Sequence, residues 1–169
     1  MKKITMICFI MACLLMFSCE NKKAETKNSN DTKSKEVKSE QKEGVKWLIN
    51  YDKAIELSKK EKKHIFVDFT GSDWCGWCIK LKEEVFSKKS FADYLEKNFI
   101  PLELDFPNKK KQSEEIKKQN GELAKKYEIK GFPTILILDE EGKVIAKTGY
   151  QQGGPEKYIE HIKELLKNK

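Results

Sequence analysis

A short apolar segment, His64–Thr70, is followed closely by the pair Cys75 and Cys78, and this arrangement constrains the fold more than any other feature. The segment is rich in β-branched and aromatic residues and apolar almost throughout, as in a central strand covered on both faces. The next segment, 74–86, has its apolar residues at helical spacing. The two cysteines therefore lie where a buried strand leads into a helix.

This junction favours thiol chemistry. Unpaired backbone N–H groups and the macrodipole at a helix N-terminus stabilise a thiolate, so Cys75 is predicted to have a depressed pKa and to be the nucleophile. Cys78, three residues on, lies within disulfide reach. A structural zinc site is the alternative, but it needs two further ligands. The only histidines, His64 and His161, have no metal-like spacing, and we predict no metal site.

Length and composition limit the classes of function. A chain of 169 residues with 38% hydrophobic and 36% charged composition suits one domain plus an appendage. All 34 basic residues are lysine, so the guanidinium group that reads phosphates and base edges is missing. The formal charge of +7 is thus a weak indication of nucleic acid, which we do not predict as a partner. It fits attraction to an anionic membrane surface better.

The N-terminus has the pattern of an export signal, with two lysines followed by the apolar run Ile4–Phe17. The run ends in Ser18-Cys19 and resembles a bacterial lipobox, in which the cysteine is diacylated and becomes the mature N-terminus. We therefore predict a signal peptide at 1–18 and lipidation of Cys19. An uncleaved signal anchor and an ordinary cleaved signal are the alternatives. The polar, highly charged residues 19–43 are predicted to be a disordered tether, which leaves 44–169 as the folded domain.

The cysteine count supports a catalytic pair. Of the five cysteines, Cys8 and Cys13 leave with the predicted signal and Cys19 carries lipid, so only Cys75 and Cys78 remain as thiols. One pair is too few for a disulfide scaffold in an exported domain of this size. Catalysis or metal binding must therefore account for it.

The hydrophobic periodicity of the domain alternates between strand and helix. Strands are predicted at 45–49, 64–70, 99–104, 134–138 and 144–148. Helices are predicted at 51–62, 74–86, 91–98, 113–127 and 155–166. This order predicts an α/β fold with a mixed sheet and helices on both faces.

Two segments resemble the thioredoxin superfamily. Residues 66–78 read Phe-Val-Asp-Phe-Thr-Gly-Ser-Asp-Trp-Cys-Gly-Trp-Cys, similar to the family's active-site segment, and residues 129–134 read Ile-Lys-Gly-Phe-Pro-Thr, similar to its Gly-x-Pro-Thr segment. The likeness covers roughly Val45 to Leu166. It implies the thioredoxin fold, a central mixed β-sheet flanked by helices on both faces, and resembles the exported bacterial group with Asp-Trp-Cys-Gly-Trp-Cys.

The resemblance also implies roles for individual residues. A cis Phe132–Pro133 bond would face the cysteines and offer the Phe132 backbone to an extended substrate; a trans Pro133 that merely precedes a strand is the alternative. Asp68 matches the buried acid that manages protons for the inner cysteine. Asp68 lies seven residues before Cys75, one more than in typical thioredoxin, so the extra residue should loop out within 70–73.

The flanking residues Trp74, Gly76 and Trp77 are predicted to form a substrate-docking surface, with helix-start packing as the alternative role of Trp74. Together these features predict an extracytoplasmic thiol–disulfide oxidoreductase that exchanges disulfides with exported proteins. We expect it to be a monomer in the bacterial cell envelope without a cofactor, kept reduced by a membrane electron-donor protein. Gly76 is shared with reducing thioredoxins, which favours a reductase or isomerase. The alternative is a non-catalytic peptide-binding or metal-chaperone module on the same fold.

Overall fold

The computed structural model describes residues 44–167. The predicted signal peptide, the lipidated Cys19 and the tether up to residue 43 lie outside this range. Between residues 44 and 167, no helix combines the length and apolar character needed to cross a bilayer.

Four strands form one mixed sheet with the spatial order β2-β1-β3-β4. Strand β1 is parallel to β2 and antiparallel to β3, and β3 is antiparallel to β4. The strands are β1 (His64–Thr70), β2 (Phe99–Asp105), β3 (Thr134–Leu138) and β4 (Val144–Thr148). The helices are α1 (Tyr51–Glu61), α2 (Gly76–Leu81), α3 (Lys89–Asn98), α4 (Glu114–Lys126) and α5 (Gly154–Lys167), with a π-helical turn at Lys82–Phe86. The predicted α/β fold class is confirmed.

Both faces of the sheet are covered, because β1 alternates its buried side chains between two cores. Ile65, Val67 and Phe69 lie in the core formed with α1 and α4. Phe66 lies in the other core, with the buried side chains of α2, the π-helical turn, α3 and α5. By the same alternation, Asp68 points to the face that α2 covers. The strand pattern therefore places a carboxyl beneath the helix that carries the cysteines.

Phe66 is the centre of an aromatic cluster on the α2 face. Its side chain is fully buried, and its ring centroid lies 6.0–6.1 Å from those of four other aromatic residues. These are Trp47, Phe86, Phe91 and Phe99. The pairs with Phe86, Phe91 and Phe99 are edge-on, and such pairs contribute about 0.5–1.5 kcal/mol each beyond the area that they bury. The cluster fixes the far end of the helix that begins at the cysteines.

Two predicted elements differ from the structure. The segment 45–49 forms only one bridge, between Leu48 and Leu102, because Asn50 immediately caps α1 by accepting a hydrogen bond from the Lys53 amide at 2.8 Å. The helix predicted over 74–86 begins at Gly76 and changes into the π-helical turn at Lys82. The residues before Gly76 are used in the turn that leads into the helix.

Candidate active site at the start of helix α2

Cys75 and Cys78 form a disulfide with a Cα–Cα distance of 5.3 Å. Cys75 is the N-cap of α2, and its Sγ accepts a hydrogen bond from the Cys78 amide at 3.2 Å. A backbone N–H directed at sulfur stabilises a thiolate once the disulfide is reduced. Both residues are buried, with 7% of Cys75 and 3% of Cys78 exposed. Cys75 is thus slightly more exposed than Cys78.

The extra residue between Asp68 and Cys75 is taken up by a tight turn. The Gly71 carbonyl accepts hydrogen bonds from the amides of Trp74 at 3.2 Å and Cys75 at 2.9 Å. Gly71 is required here for steric reasons, since a Cβ atom would lie 2.6 Å from the Trp74 indole. Asp68 therefore stays within β1, on the face covered by α2.

Two aspartates that sequence reasoning missed fasten this turn to the loop after β2. The Asp105 carboxylate accepts hydrogen bonds from the Ser72 amide at 2.9 Å and the Ser72 hydroxyl at 2.6 Å. The Asp73 carboxylate accepts hydrogen bonds from the backbone amides of residues 108, 109 and 110. These bonds, that of Asn108 foremost, lower the pKa of Asp73. The contacts hold the segment before Cys75 in place.

Trp74 lies on one side of the disulfide and joins two loops. Its indole N–H donates to the Phe106 carbonyl at 2.7 Å, and its ring packs edge-on against Phe132 at 5.8 Å. Nearly half of its surface, 47%, remains exposed. Trp74 therefore packs against two loops and also leaves apolar surface exposed, and its predicted role in substrate docking stays a prediction.

Trp77 is 57% exposed and lies against Tyr150, with ring centroids 5.0 Å apart. The Lys80 ammonium stands 5.2 Å from the Trp77 ring centroid and 5.3 Å from that of Tyr150. The Tyr150 hydroxyl donates to Glu84 at 2.7 Å. A cation over aromatic faces is attractive, so these contacts restrict where the Trp77 ring can lie. Sequence reasoning did not find Tyr150, Lys80 or Glu84.

The loop before β3 contains a cis Phe132–Pro133 peptide bond. Phe132 contacts Trp74 as described, and its ring also lies 5.0 Å from that of Phe106. The Thr134 hydroxyl donates to the Gly131 carbonyl at 2.7 Å and closes the loop. Pro133 has no N–H group, so the backbone here has one donor fewer to satisfy. The ring contact between Phe132 and Trp74 joins the proline loop to the segment before the cysteines.

Asp68 is buried, with 4% of its surface exposed, and its Oδ1 has no hydrogen-bond partner in the described part of the chain. Burial raises the pKa of Asp68 well above its usual value, and the carboxyls of Glu103 and Asp105 raise it further. Lys82 acts in the opposite direction. The raised pKa favours the protonated form of Asp68.

The two histidines lie on separate elements, His64 on β1 and His161 on α5. His161 shares a hydrogen bond of 2.8 Å with the Thr148 hydroxyl, and His64 begins β1. Within residues 44–167, no three His, Cys, Asp or Glu side chains are grouped closely enough to hold a metal ion.

A mixed four-stranded sheet, a CxxC disulfide at the start of a helix and a cis-proline loop in contact with Trp74 define a thiol–disulfide oxidoreductase with the thioredoxin fold. Residues 51–165 match the family model of the thioredoxin-like domain, and the chain belongs to this family. The disulfide bond reductase DsbH of Chlamydia pneumoniae is 39% identical over 118 residues, which cover 70% of this chain and 71% of that protein.

Two further comparisons agree with this assignment. The thioredoxin-related protein DsbJ of Chlamydia pneumoniae is 30% identical over 107 residues, which cover 63% of this chain but only 31% of DsbJ. A solved structure described as DsbH oxidoreductase superposes with a TM-score of 0.70 at 34% identity, covering 83% of this chain and 96% of that one. The Cys75–Cys78 pair fits a redox-active CxxC motif of such an enzyme.

Proposed function

We propose that this protein is an extracytoplasmic reductase of disulfides in exported proteins, with Cys75 as the attacking thiolate and Cys78 as the resolving thiol. The observation that carries the proposal is the Cys75–Cys78 disulfide with the Cys75 sulfur at the N-cap of α2. The reductive direction is supported by the likeness to a protein named disulfide bond reductase. An isomerase would use the same two thiols.

The proposed reaction uses both cysteines in turn. The Cys75 thiolate attacks a substrate disulfide, forms a mixed disulfide and releases one substrate thiolate. Cys78 then loses its proton, its thiolate attacks Cys75, and the second substrate thiolate leaves as the Cys75–Cys78 disulfide forms. Two electrons pass from the protein to the substrate. An electron-donor protein must afterwards reduce the pair again, and we propose that it resides in the membrane.

The substrate segment is proposed to lie between the exposed rings of Trp74 and Trp77, against the backbone of Phe132 next to Pro133. Gly76 has open space where a Cβ would be, so nothing projects over the disulfide from that position. An extended segment pairing with a free backbone edge is a common mode of peptide recognition. This arrangement would bring a substrate disulfide to Cys75 rather than to the more buried Cys78.

A non-catalytic peptide-binding or metal-chaperone module is the second candidate, favoured by the two exposed tryptophans beside the cysteines. Chemistry on the ligand separates the two functions. An oxidoreductase changes the number of disulfides in a peptide that it meets, whereas a binding module leaves that number unchanged. Mass spectrometry of an alkylated disulfide peptide, before and after incubation with the reduced protein, makes this distinction.

The location is proposed from the N-terminal sequence: a signal peptide at 1–18, lipid on Cys19 and a tether to residue 43. We expect the wild-type protein to partition into the detergent phase on phase separation of cell extracts, and the Cys19→Ala variant to partition into the aqueous phase. The reason is that two acyl chains anchor a protein stably. Aqueous partitioning of both proteins, or detergent partitioning of both, would contradict lipidation at Cys19.

A further inference from the structure

A second carboxyl, that of Glu103, lies beside Asp68 in the sheet. Asp68 in β1 and Glu103 in β2 are direct partners in the parallel ladder, so their side chains point to the same face of the sheet. Strands pair at about 4.8 Å, which brings two such side chains within reach of each other. Asp68 is buried in the central strand, whereas Glu103 is partly exposed on β2. Glu103 is therefore the member of the pair that is more accessible to solvent.

The other polar groups around Asp68 and Glu103 either form hydrogen bonds with other residues or are cations. Asp105 accepts two hydrogen bonds from Ser72. The Tyr158 hydroxyl, which faces Asp68 from α5, donates to the Gly149 carbonyl at 2.9 Å. Lys82 acts on both carboxyls from the π-helical turn, and Lys110 acts on Glu103 from the loop after β2, but neither forms an ion pair with them among the described residues. Glu103 is thus the free acceptor beside Asp68.

The exchange reaction creates a need for such an acceptor. When Cys78 attacks the mixed disulfide, its proton must go to a nearby base. Burial raises the pKa of Asp68 and so favours its protonated form. A protonated carboxyl cannot accept a second proton. A neighbouring carboxylate removes this obstacle, because it takes the first proton from Asp68 and leaves Asp68 able to receive the next.

We propose that Glu103 is a second carboxyl of the proton-transfer site, through which protons pass between the buried Asp68 and solvent. The pair shares one proton in the reduced protein. As Cys78 is deprotonated, its proton enters at Asp68 and the shared proton leaves through Glu103, so the pair returns to its starting charge once Glu103 loses that proton to water. Glu103 acts through Asp68 and is a positioning residue rather than a group in contact with substrate. The inference rests on the proposed exchange reaction.

The test uses dithiobis(nitrobenzoate), which reports the two chemical steps separately. Attack by Cys75 on this disulfide releases the first thionitrobenzoate, and attack by Cys78 on the resulting mixed disulfide releases the second. In Glu103→Gln we expect an unchanged first phase. The second phase should be about tenfold slower at neutral pH, less than the ~10²–10⁴-fold effect of a direct acid or base. Glu103→Asp should restore most of the rate.

The pH dependence separates a proton relay from a simple charge effect. In wild type, the pair can accept a proton once Glu103, its more exposed member, has ionised. In Glu103→Gln, only the buried Asp68 can ionise. A relay therefore predicts that the pH midpoint of the second phase moves upward in Glu103→Gln. If Glu103 only raised the pKa of Asp68, its removal would move the midpoint downward. A downward shift, or no shift, would overturn the proposal.

Glu122→Gln is the matched control, because it makes the same chemical change on α4, on the opposite face of the sheet. It should leave both phases and the midpoint unchanged; a midpoint shift in this variant equal to that in Glu103→Gln would overturn the proposal. A wild-type protein that releases no second thionitrobenzoate would instead refute the exchange function itself. The failure of the relay and the failure of the function therefore give different results.

Discussion

Replacing Cys78 with alanine should trap substrates as stable mixed disulfides, while replacing Cys75 should abolish exchange without trapping. In Cys78→Ala the attacking thiolate is kept, but the neighbouring thiol that resolves the intermediate within the same molecule is lost. In Cys75→Ala the remaining thiol is the more buried of the two and lies within the first turn of α2. Non-reducing gels of cell extracts measure the adducts, and mass spectrometry identifies the partners.

Cys75→Ala serves as the matched control for trapping, since both variants lose the internal disulfide and keep one cysteine of the pair. Exported proteins should dominate the adducts if the proposed location holds. Equal trapping by both variants would contradict the assignment of attack to Cys75. The absence of adducts from both would favour the binding-module function.

Asp68→Asn should slow the step carried out by Cys78 by about 10²-fold, the lower end of the range for a positioned general base. The amide keeps the shape of the side chain but cannot accept the proton. The first step, attack by Cys75, should change little, because the Cys75 sulfur is stabilised by the Cys78 amide rather than by Asp68. The two-phase release of thionitrobenzoate distinguishes these steps in one experiment. An unchanged second phase would exclude Asp68 from proton transfer.

The same substitution should make the protein more stable at neutral pH. Burial raises the pKa of Asp68 in the folded state above its value in the unfolded chain. Such a carboxyl favours unfolding increasingly as pH rises from the unfolded value of about 3.9 towards the folded value. The asparagine amide does not titrate, so the free energy of unfolding in urea should be higher for Asp68→Asn at pH 7 and should converge with wild type in acid. Lower stability at pH 7 would contradict the buried, raised-pKa carboxyl.

The strands were predictable from sequence because hydrophobic periodicity reports burial directly. The predicted bounds of β1, β3 and β4 agree with the structure, and β2 extends one residue further to Asp105. The π-helical turn could not be predicted, since residues 82–86 keep a helical pattern of apolar positions whichever carbonyls their amides bond. A strand was predicted at 45–49, but only a single bridge forms there, at Leu48. Hydrophobic periodicity does not show that the cap of the next helix begins directly after it.

Within the site, the residues predicted from sequence are those close to the cysteines or in a second recognisable segment. Cys75, Cys78, Trp74 and the proline loop fall in that class, and their catalytic or binding roles stay predictions. Glu103 and Tyr150 were not predicted, because they are distant in sequence from Asp68 and Trp77 and lie beside them only in the folded chain. The pairing of Asp68 with Glu103 depends on the register of two parallel strands. Hydrophobic patterning indicates which face each side chain occupies, but a shift of two residues keeps the same faces.

The most direct measurement of the central claim is the reduction of insulin by dithiothreitol, followed by the turbidity of the released B chain. We predict that catalytic amounts of the wild-type protein accelerate precipitation, that Cys75→Ala has no activity, and that the background rate in its presence equals that of dithiothreitol alone. Glu122→Gln, altered on the opposite face of the sheet from Asp68, should accelerate precipitation as wild type does. A wild-type protein that leaves the rate unchanged, or a Cys75→Ala variant that accelerates it equally, would contradict thiol–disulfide exchange through the Cys75–Cys78 pair.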